Sequence, residues 1–240
     1  MDSLGILTIE GVDAVAFLQG YVTSDLDEIE TRIGAPMALT DIKGRVLANG
    51  WYYGSKENVS LVIHSSLLDS TAQHLGRYMV FSKSSLKQDS EIMDVSEASS
   101  SENIVLNPMG WYLHPRDSPE SNWPRLTLEA KFPIVTRQTS GSFLPQMLSL
   151  TEHGAVSFTK GCYLGQEIVA RAEHRGVVKR RLSVYSVNDG TIAVGAKVFA
   201  GNRNAGVVVT TYLDRALAVT SSNLESLQSE DGSELTPLAD

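Results

Sequence analysis

The hydrophobic pattern of the first third of the chain predicts β-strands separated by polar turns. Runs of apolar and β-branched residues bounded by glycine, aspartate or serine predict four strands, at residues 5–11, 35–40, 45–53 and 58–64. A polar turn at residues 41–44 joins the second of these strands to the third. This part of the chain is therefore expected to form a sheet.

Two helices are predicted between and after these strands. Asp13 is expected to cap a short helix at residues 14–19, which Gly20 ends. Ser65 or Ser66 is expected to cap a longer helix that reaches about Arg77, because apolar residues recur there on one helical face. Strands and helices in this order predict an α+β fold, in which sheets and helices form layers.

The second half of the chain has a different composition. Residues 96–103 (SEASSSEN) are typical of a loop or linker, and four prolines are expected to keep the next stretch mostly irregular: Pro108, Pro115, Pro119 and Pro124. Short β-branched runs at 178–187, 196–200, 206–212 and 216–221 predict a small β-barrel or sandwich. The acidic tail at 225–240 is expected to be frayed. We therefore expect a core domain at 1–176 and a small β-domain at 177–240.

The segment most informative about chemistry places two glycines around a thiol. It reads KGCYLGQE: Lys160, Gly161, Cys162, Tyr163, Leu164, Gly165, Gln166 and Glu167. A helical apolar pattern follows it, and Gly176 is expected to end that helix. Cys162 would then lie near a helix N-terminus and near Lys160, and both favour a thiolate. The alternative, from spacing alone, is a small buried cysteine in a tight turn.

Composition excludes several classes of protein. Cys162 is the only cysteine, so the chain cannot form an internal disulfide, and it cannot hold a four-cysteine zinc site or a complete iron–sulfur cluster by itself. The five histidines show no metal-ligand spacing, and we expect no autonomous metal site. The net charge of −8 disfavours non-specific binding to nucleic acid or anionic membranes. Asp2 stands where a secretory signal carries a cation, and no stretch approaches the ~20 apolar residues of a membrane span, so we expect a cytoplasmic protein.

Beside these motifs lies a resemblance to a known family. Residues 130–182, with KGCYLGQE at their centre, resemble the C-terminal half of the folate-binding core of the YgfZ family. Supporting matches are IEG at 9–11, FLQG at 17–20, DIKGR at 41–45 and YMVFSK at 78–83. The family shares its fold with the T-protein aminomethyltransferase of glycine cleavage. The resemblance implies a T-protein-like core of antiparallel sheets with helices, followed by a small C-terminal β-barrel.

The resemblance also implies a ligand and the residues that bind it. Family members are linked to tetrahydrofolate, and Trp123 and Glu129 (in WPRLTLEA) match the segment beside the pterin. An indole can stack on a flat heterocycle, and a carboxylate can accept two parallel hydrogen bonds from it. Taken alone, Trp123 would be a core residue and Glu129 a solvated charge. The stretch between Lys83 and Trp123 is shorter than in long members, so we expect a reduced middle subdomain.

A cationic cluster is a further candidate site. Five of the chain's 20 basic residues fall within 11 positions: Arg171, Arg175, Lys179, Arg180 and Arg181. Such a cluster can bind phosphates or the glutamate tail of a folate. The alternative is a solvated helix end, where the helix dipole favours cations.

These observations leave three functional hypotheses. The first is a tetrahydrofolate-binding protein, without enzymatic activity or with little, that supports iron–sulfur-dependent enzymes and tRNA modification. Its functional thiol would be Cys162, and its partners folate and an iron–sulfur or tRNA-modifying client. The alternative is an aminomethyltransferase-like one-carbon enzyme. The T-protein acid that acts on the folate amine aligns with Leu47 and Ala48, which cannot accept a proton. The third, an RNA-binding module using the cationic cluster, is disfavoured by the net charge and the lack of interleaved aromatic residues.

Overall fold

A computed structural model of the chain describes residues 3–98, 103–117, 122–176, 178–188, 191–221 and 226–238, without the side chain of Arg175. Eight strands, β1–β8, precede the C-terminal part: Leu4–Gly11, Ile33–Thr40, Val46–Ser55, Asn58–His64, Ser84–Gln88, Met93–Ser96, Ile104–Leu106 and Trp111–Pro115. The helices α1–α4 are Ala14–Gln19, Leu68–Gly76, Trp123–Glu129 and Gln166–Arg175. Three 3₁₀ turns lie at Ser65–Leu67, Met79–Phe81 and Pro145–Leu148.

Seven of the first eight strands close into a ring. Their order is β4-β3-β2-β7-β8-β6-β1, and β1 also pairs with β4 over its whole length, from the Leu4–His64 pair to the Glu10–Asn58 pair. Strand β5 pairs with the other edge of β1. Inside the ring, fully buried Trp51 packs against Phe132 with ring centroids 5.1 Å apart. This closed core fixes the strands whose ends and turns carry the candidate site.

The C-terminal part is a second closed barrel. Its strands β9–β14 are Arg180–Asn188, Lys197–Ala200, Arg203–Tyr212, Arg215–Ser221, Leu227–Ser229 and Glu234–Pro237, in the order β10-β11-β12-β9-β14-β13. The expected α+β fold with a C-terminal β-barrel is confirmed. The expectation of a frayed tail is wrong for residues 227–237, because buried Leu227 and Leu235 anchor the last two strands in the barrel.

The barrel packs directly on the core. Val209, Leu217 and Val219 belong to the same cluster of buried side chains as the ring. Helix α3 lies against β11. The domain boundary between residues 176 and 177 remains a prediction, and residue 177 lies outside the described residues. No helix in the described ranges is long and apolar enough to span a membrane.

The structure corrects two helix caps expected from sequence. The helix at Ala14–Gln19 forms as predicted, but the Asp13 carboxylate does not cap it and instead binds the Ser82 and Ser84 hydroxyls and the Lys83 amide. The second helix begins with a 3₁₀ turn, which is capped by His64: its imidazole Nδ1 accepts from the Ser66 amide at 3.2 Å.

The middle of the chain is more regular than its prolines predict. Strands β7 and β8 complete the ring around Pro108, and α3 begins one residue before Pro124. Proline is compatible with these places, since it is tolerated in the first helical turn and at strand ends. Residues 99–102 of the expected linker, and Pro119, lie outside the described residues.

Candidate functional site

The KGCYLGQE segment packs against the turn at residues 41–45 through two glycines. Gly165 is the N-cap of α4, and its φ of 85° lies in the left-handed region that favours glycine. A Cβ added to Gly165 would lie 2.3 Å from the Asp41 carbonyl oxygen, so no larger residue fits. Gly44, at φ 68°, faces α4, and a Cβ there would lie 3.1 Å from a Val169 methyl. Two segments matched from sequence therefore meet at the start of α4.

Hydrogen bonds fix the loop before this glycine contact. The Leu164 amide donates to the Gly20 carbonyl at 2.9 Å, and the Thr40 hydroxyl donates to the Leu164 carbonyl at 2.6 Å. The Lys160 ammonium donates to the carbonyls of Val22 (3.0 Å) and Ser24 (2.6 Å). The loop is thus bound to the end of α1, to the chain that follows it and to β2.

Lys160 has an anchoring role that its sequence position does not reveal. Burial lowers the pKa of Lys160 to about 8, and the nearby carboxylates of Asp25 and Asp27 oppose this shift. The ammonium also lies 5.6 Å from the centroid of the Tyr163 ring. From the sequence, Lys160 was expected only to lie near the Cys162 thiol. Its contacts with the Val22 and Ser24 carbonyls show that it also holds the loop in place.

Cys162 itself is exposed, with a free thiol. On its N-terminal side Gly161 has open space around it, and on its C-terminal side Tyr163 is buried. Burial raises the pKa of Tyr163 to about 12. The loop therefore presents the sulfur to solvent from an anchored backbone, which differs from the buried cysteine that spacing alone allowed.

The remaining motif residues begin α4. The Gln166 amide donates to the Tyr163 carbonyl at 3.1 Å. Exposed Glu167 accepts from the Arg171 guanidinium at 2.7 Å, one helical turn later. Surface pairs of this kind contribute little to stability, about 0.3–0.5 kcal/mol.

Trp123 and Glu129 lie at opposite ends of α3. Trp123 is 3% exposed, and its ring packs edge-on against His64 at 5.6 Å between centroids. The Glu129 carboxylate is half exposed and binds Arg125 at 2.9 Å. Glu129 lines a cavity of about 280 Å³ between α3 and the β11–β12 turn, and Trp123 is not among the residues that line it. The structure does not bring the two side chains to one pocket, and their role in pterin binding stays a prediction.

Asp94 is a site residue that sequence reasoning missed. Its carboxylate is 2% exposed and accepts from the amides of Asn122 (3.0 Å) and Trp123 (3.1 Å) at the start of α3. It therefore supplies the cap that Asn122 does not provide. A lone aspartate in a short strand gives no sequence signal of this role, because its partners lie far along the chain.

Two other cavities differ in charge. The larger, about 510 Å³, is bordered by four carboxylates: Asp25, Asp27, Glu28 and Glu30. The smaller, about 190 Å³, which we call the Leu47 pocket, is lined by Leu39, Leu47, Ser70, Thr71, Gln73, His74, Arg77 and Ser140. Its buried His74 Nε2 has no hydrogen-bond partner in the part of the chain that the structure describes. Burial and the nearby Arg77 lower the pKa of His74 below its ordinary value.

The cationic cluster is divided between two elements. Arg171 lies on α4 and pairs with Glu167, and the side chain of Arg175 lies outside the described residues. Arg180 and Arg181 are successive residues of β9, so their side chains point to opposite faces. Lys179 precedes that strand and is exposed. The anion-binding role of these residues remains a prediction, and the described ones do not form a single surface.

The chain is similar to known proteins in sequence and in fold. No family model matches the chain. The tRNA-modifying protein YgfZ of Yersinia pestis is 28% identical over 225 residues, covering 76% of this chain and 68% of the relative. The protein of the same name from Yersinia enterocolitica matches to the same extent. The chain is similar to YgfZ over most of its length.

The fold of this chain has a solved counterpart. The glycine cleavage system aminomethyltransferase T from Bartonella henselae superposes with a TM-score of 0.72, over 100% of this chain and 84% of that one. At 12% identity the match shows the fold alone. It confirms the expected T-protein-like core.

Leu47 and Ala48 are the residues that the sequence resemblance aligns with the T-protein acid. Leu47 lines the Leu47 pocket, and Ala48 is fully buried in the core. Leu47 therefore gives this pocket an apolar wall.

Proposed function

We propose that this protein binds a reduced folate, tetrahydrofolate or a derivative, and supports tRNA modification and iron–sulfur-dependent enzymes through the Cys162 thiol. One observation carries the proposal: a single turn connects the thiol loop to the Leu47 pocket. Strands β2 and β3 leave that turn, and their Leu39 and Leu47 line the pocket. On its other side, the turn contacts Gly165 through Gly44.

The Leu47 pocket suits one ring system of a folate. Its volume of about 190 Å³ is below the ~300–1,000 Å³ typical for whole drug-sized ligands, so the remainder of the ligand would lie outside. Leu39 and Leu47 offer an apolar surface to a flat ring, and the unpaired His74 Nε2 offers a hydrogen bond. Arg77 at the same pocket can attract the anionic glutamate tail. The larger cavity is disfavoured, because its four carboxylates repel that tail.

The cavity at Glu129 is the competing position for the pterin. The match of WPRLTLEA supports it, and the half-exposed carboxylate of Glu129 can exchange its bond with Arg125 for bonds to a pterin. Buried Trp123 does not line this cavity, so stacking on its ring would need a rearrangement.

Calorimetric titration with tetrahydrofolate tests the proposal and separates the two positions. If the pterin binds at α3, Glu129→Ala should weaken binding by about 1.5–3 kcal/mol, and His74→Ala should leave it unchanged. If it binds in the Leu47 pocket, the effects should be reversed. His114→Ala, outside both cavities, is the matched control. Absence of binding heat at millimolar folate would show that the folate assignment is wrong.

A role as an aminomethyltransferase is not favoured by this site. Neither Leu47 nor Ala48 can take up a proton from a folate amine or stabilise a developing ammonium. We therefore propose that the folate is bound without methylamine transfer, and an assay of that reaction with the purified protein tests the point.

A further inference from the structure

The segment at residues 77–83 exposes apolar side chains that the core does not use. In its 3₁₀ turn, Met79–Phe81, no residue is buried, and Phe81 is 97% exposed. Val80 is 73% exposed and Tyr78 43%. Large apolar side chains exposed side by side mark an interaction surface more often than a solvated one. We call this set, with Arg77, Lys83 and Tyr21, the Phe81 surface.

Contacts beneath the Phe81 surface hold it in one shape. The Asp13 carboxylate accepts from the Ser82 hydroxyl at 3.0 Å and from the Lys83 amide at 2.8 Å. The Tyr78 amide donates to the Leu75 carbonyl at 2.9 Å. The segment is thus fixed at both ends, so its exposed rings are presented with little loss of conformational entropy on binding.

Aromatic rings continue from Tyr78 towards the KGCYLGQE loop. The Tyr78 ring lies 4.8 Å from that of Tyr21, which lies 4.8 Å from Phe17. His74 packs on Tyr78 from the side of the Leu47 pocket, at 5.5 Å. Tyr21 follows Gly20, whose carbonyl binds the Leu164 amide. A row of rings therefore joins the exposed surface to both parts of the candidate site.

Two cations lie within the Phe81 surface. Arg77 and Lys83 are exposed, and no carboxylate of the described residues forms an ion pair with either. In a protein of net charge −8, unpaired cations beside exposed rings favour a partner that is anionic and planar. Unpaired nucleotides have this chemistry, because their bases stack on aromatic rings while their phosphates pair with cations.

We propose that the Phe81 surface binds a single-stranded segment of RNA, with bases stacked on Phe81 and Tyr78 and phosphates at Arg77 and Lys83. This inference deepens the proposed role in tRNA modification and rests on it for the choice of RNA as the anionic polymer. The aromatic platform that the cationic cluster at residues 171–181 lacks is present here, on a different element.

Fluorescence anisotropy with a labelled single-stranded RNA of about 12 nucleotides tests the proposal. Phe81→Ala and Tyr78→Ala should each raise the dissociation constant about tenfold, as for loss of one stacked base. Arg77→Ala should weaken binding and reduce the salt dependence by about 0.7 in the logarithmic slope. Phe158→Ala, an exposed aromatic residue elsewhere, and Arg203→Ala, an exposed cation of the barrel, are controls expected to bind like the wild type. The duplex of the same sequence should bind more weakly, because its bases are already stacked.

Three outcomes would overturn the inference. Equal affinity of the wild type and Phe81→Ala for the RNA would show that the Phe81 surface does not bind it. Loss of binding on charge reversal of Arg180 and Arg181 alone would place the RNA at the cationic cluster. Absence of RNA binding even at low salt would show that RNA is not the partner of the Phe81 surface, and a protein would then be the remaining class of partner. Tetrahydrofolate titration of Phe81→Ala, expected to match the wild type, keeps a failure of folate binding distinct from a failure of RNA binding.

Discussion

Gly165 lies against Gly44 so closely that a Cβ added to Gly165 would come within 3.0 Å of the Gly44 Cα. The contact brings together two segments that are far apart in sequence, the KGCYLGQE loop and the turn of the β2–β3 hairpin. It sets the position of α4, and with it the anchored loop that carries Cys162. The spacing of the two glycines in the motif is therefore a requirement of packing.

The first prediction tests this contact. Gly165→Ala should lower the free energy of unfolding by about 2–4 kcal/mol. The alanine would have to adopt a left-handed backbone conformation, and its Cβ would clash with the Asp41 carbonyl oxygen. Gly161→Ala, in the same motif, is the matched control: nothing lies within 4 Å of its added Cβ, and its effect should stay within about 0.5 kcal/mol. Urea unfolding of the two variants measures both. Similar stabilities would show that the glycine contact is not a constraint.

Local patterns explain why much of the fold could be predicted. Strand β1 depends on a run of apolar residues that ends at Gly11, and the helix at Ala14–Gln19 ends at Gly20, so the signals for both elements are close in sequence. The signature around Cys162 was likewise visible, because its residues are contiguous and its glycines mark a turn. The turn at residues 41–45 was matched to the same family. Its contact with the KGCYLGQE loop could not be predicted from the sequence, because the two segments are far apart along the chain.

What could not be predicted depends on distant partners. Asp13 has the sequence of a helix cap, yet it binds Ser82 and Ser84, which approach it only because β5 pairs with β1. The acidic tail has little local preference for strands, and it becomes ordered because Leu235 fills the barrel. The sequence resemblance assigned Trp123 and Glu129 to one pterin site. The structure places them at opposite ends of the short helix α3.

The second prediction concerns Asp94, the cap of α3. Asp94→Ala should lower the free energy of unfolding by about 2–4 kcal/mol, because it removes the cap of α3 and leaves the amide of buried Trp123 without its acceptor. Asp94→Asn keeps one acceptor oxygen and should lose less. Chemical unfolding followed by tryptophan fluorescence measures the two variants. An alanine variant as stable as the wild type would mean that α3 does not depend on this carboxylate.

The third prediction concerns pH and Lys160. Its pKa in the folded protein, about 8, is below the ordinary value of 10.5, so between these values the unfolded chain holds a proton that the folded protein has lost. The free energy of unfolding should therefore rise with pH above 8. Loss of one full proton would give a slope of ~1.4 kcal/mol per pH unit, and the slope should be smaller than this because the ammonium is partly solvated. The measurement should stop near pH 9.5, since Tyr52 and Tyr163, whose pKa values burial raises to about 12, act in the opposite direction above pH 10.

A matched pair of variants isolates this lysine. Lys160→Met should abolish the rise in stability between pH 8 and 9.5, whereas Lys43→Met, at an exposed lysine, should keep it. Denaturant unfolding across this pH range gives the slopes. If the Lys160 variant keeps the wild-type slope, the lysine is more solvated than its contacts with Val22 and Ser24 indicate.

The last prediction concerns Cys162. Because the thiol is exposed and its loop is held by neighbouring residues, Cys162→Ala should unfold within about 0.5 kcal/mol of the wild type and keep its affinity for tetrahydrofolate. A lone thiol can supply one ligand to a cluster shared with a partner or form a transient covalent bond, and alanine can do neither. The variant should therefore fail to restore iron–sulfur-dependent tRNA modification in cells that lack the protein, while Gly161→Ala, next to it in the same loop, should restore it. Full restoration by Cys162→Ala would show that the thiol is dispensable. The loop would then act through its backbone conformation and not through the sulfur.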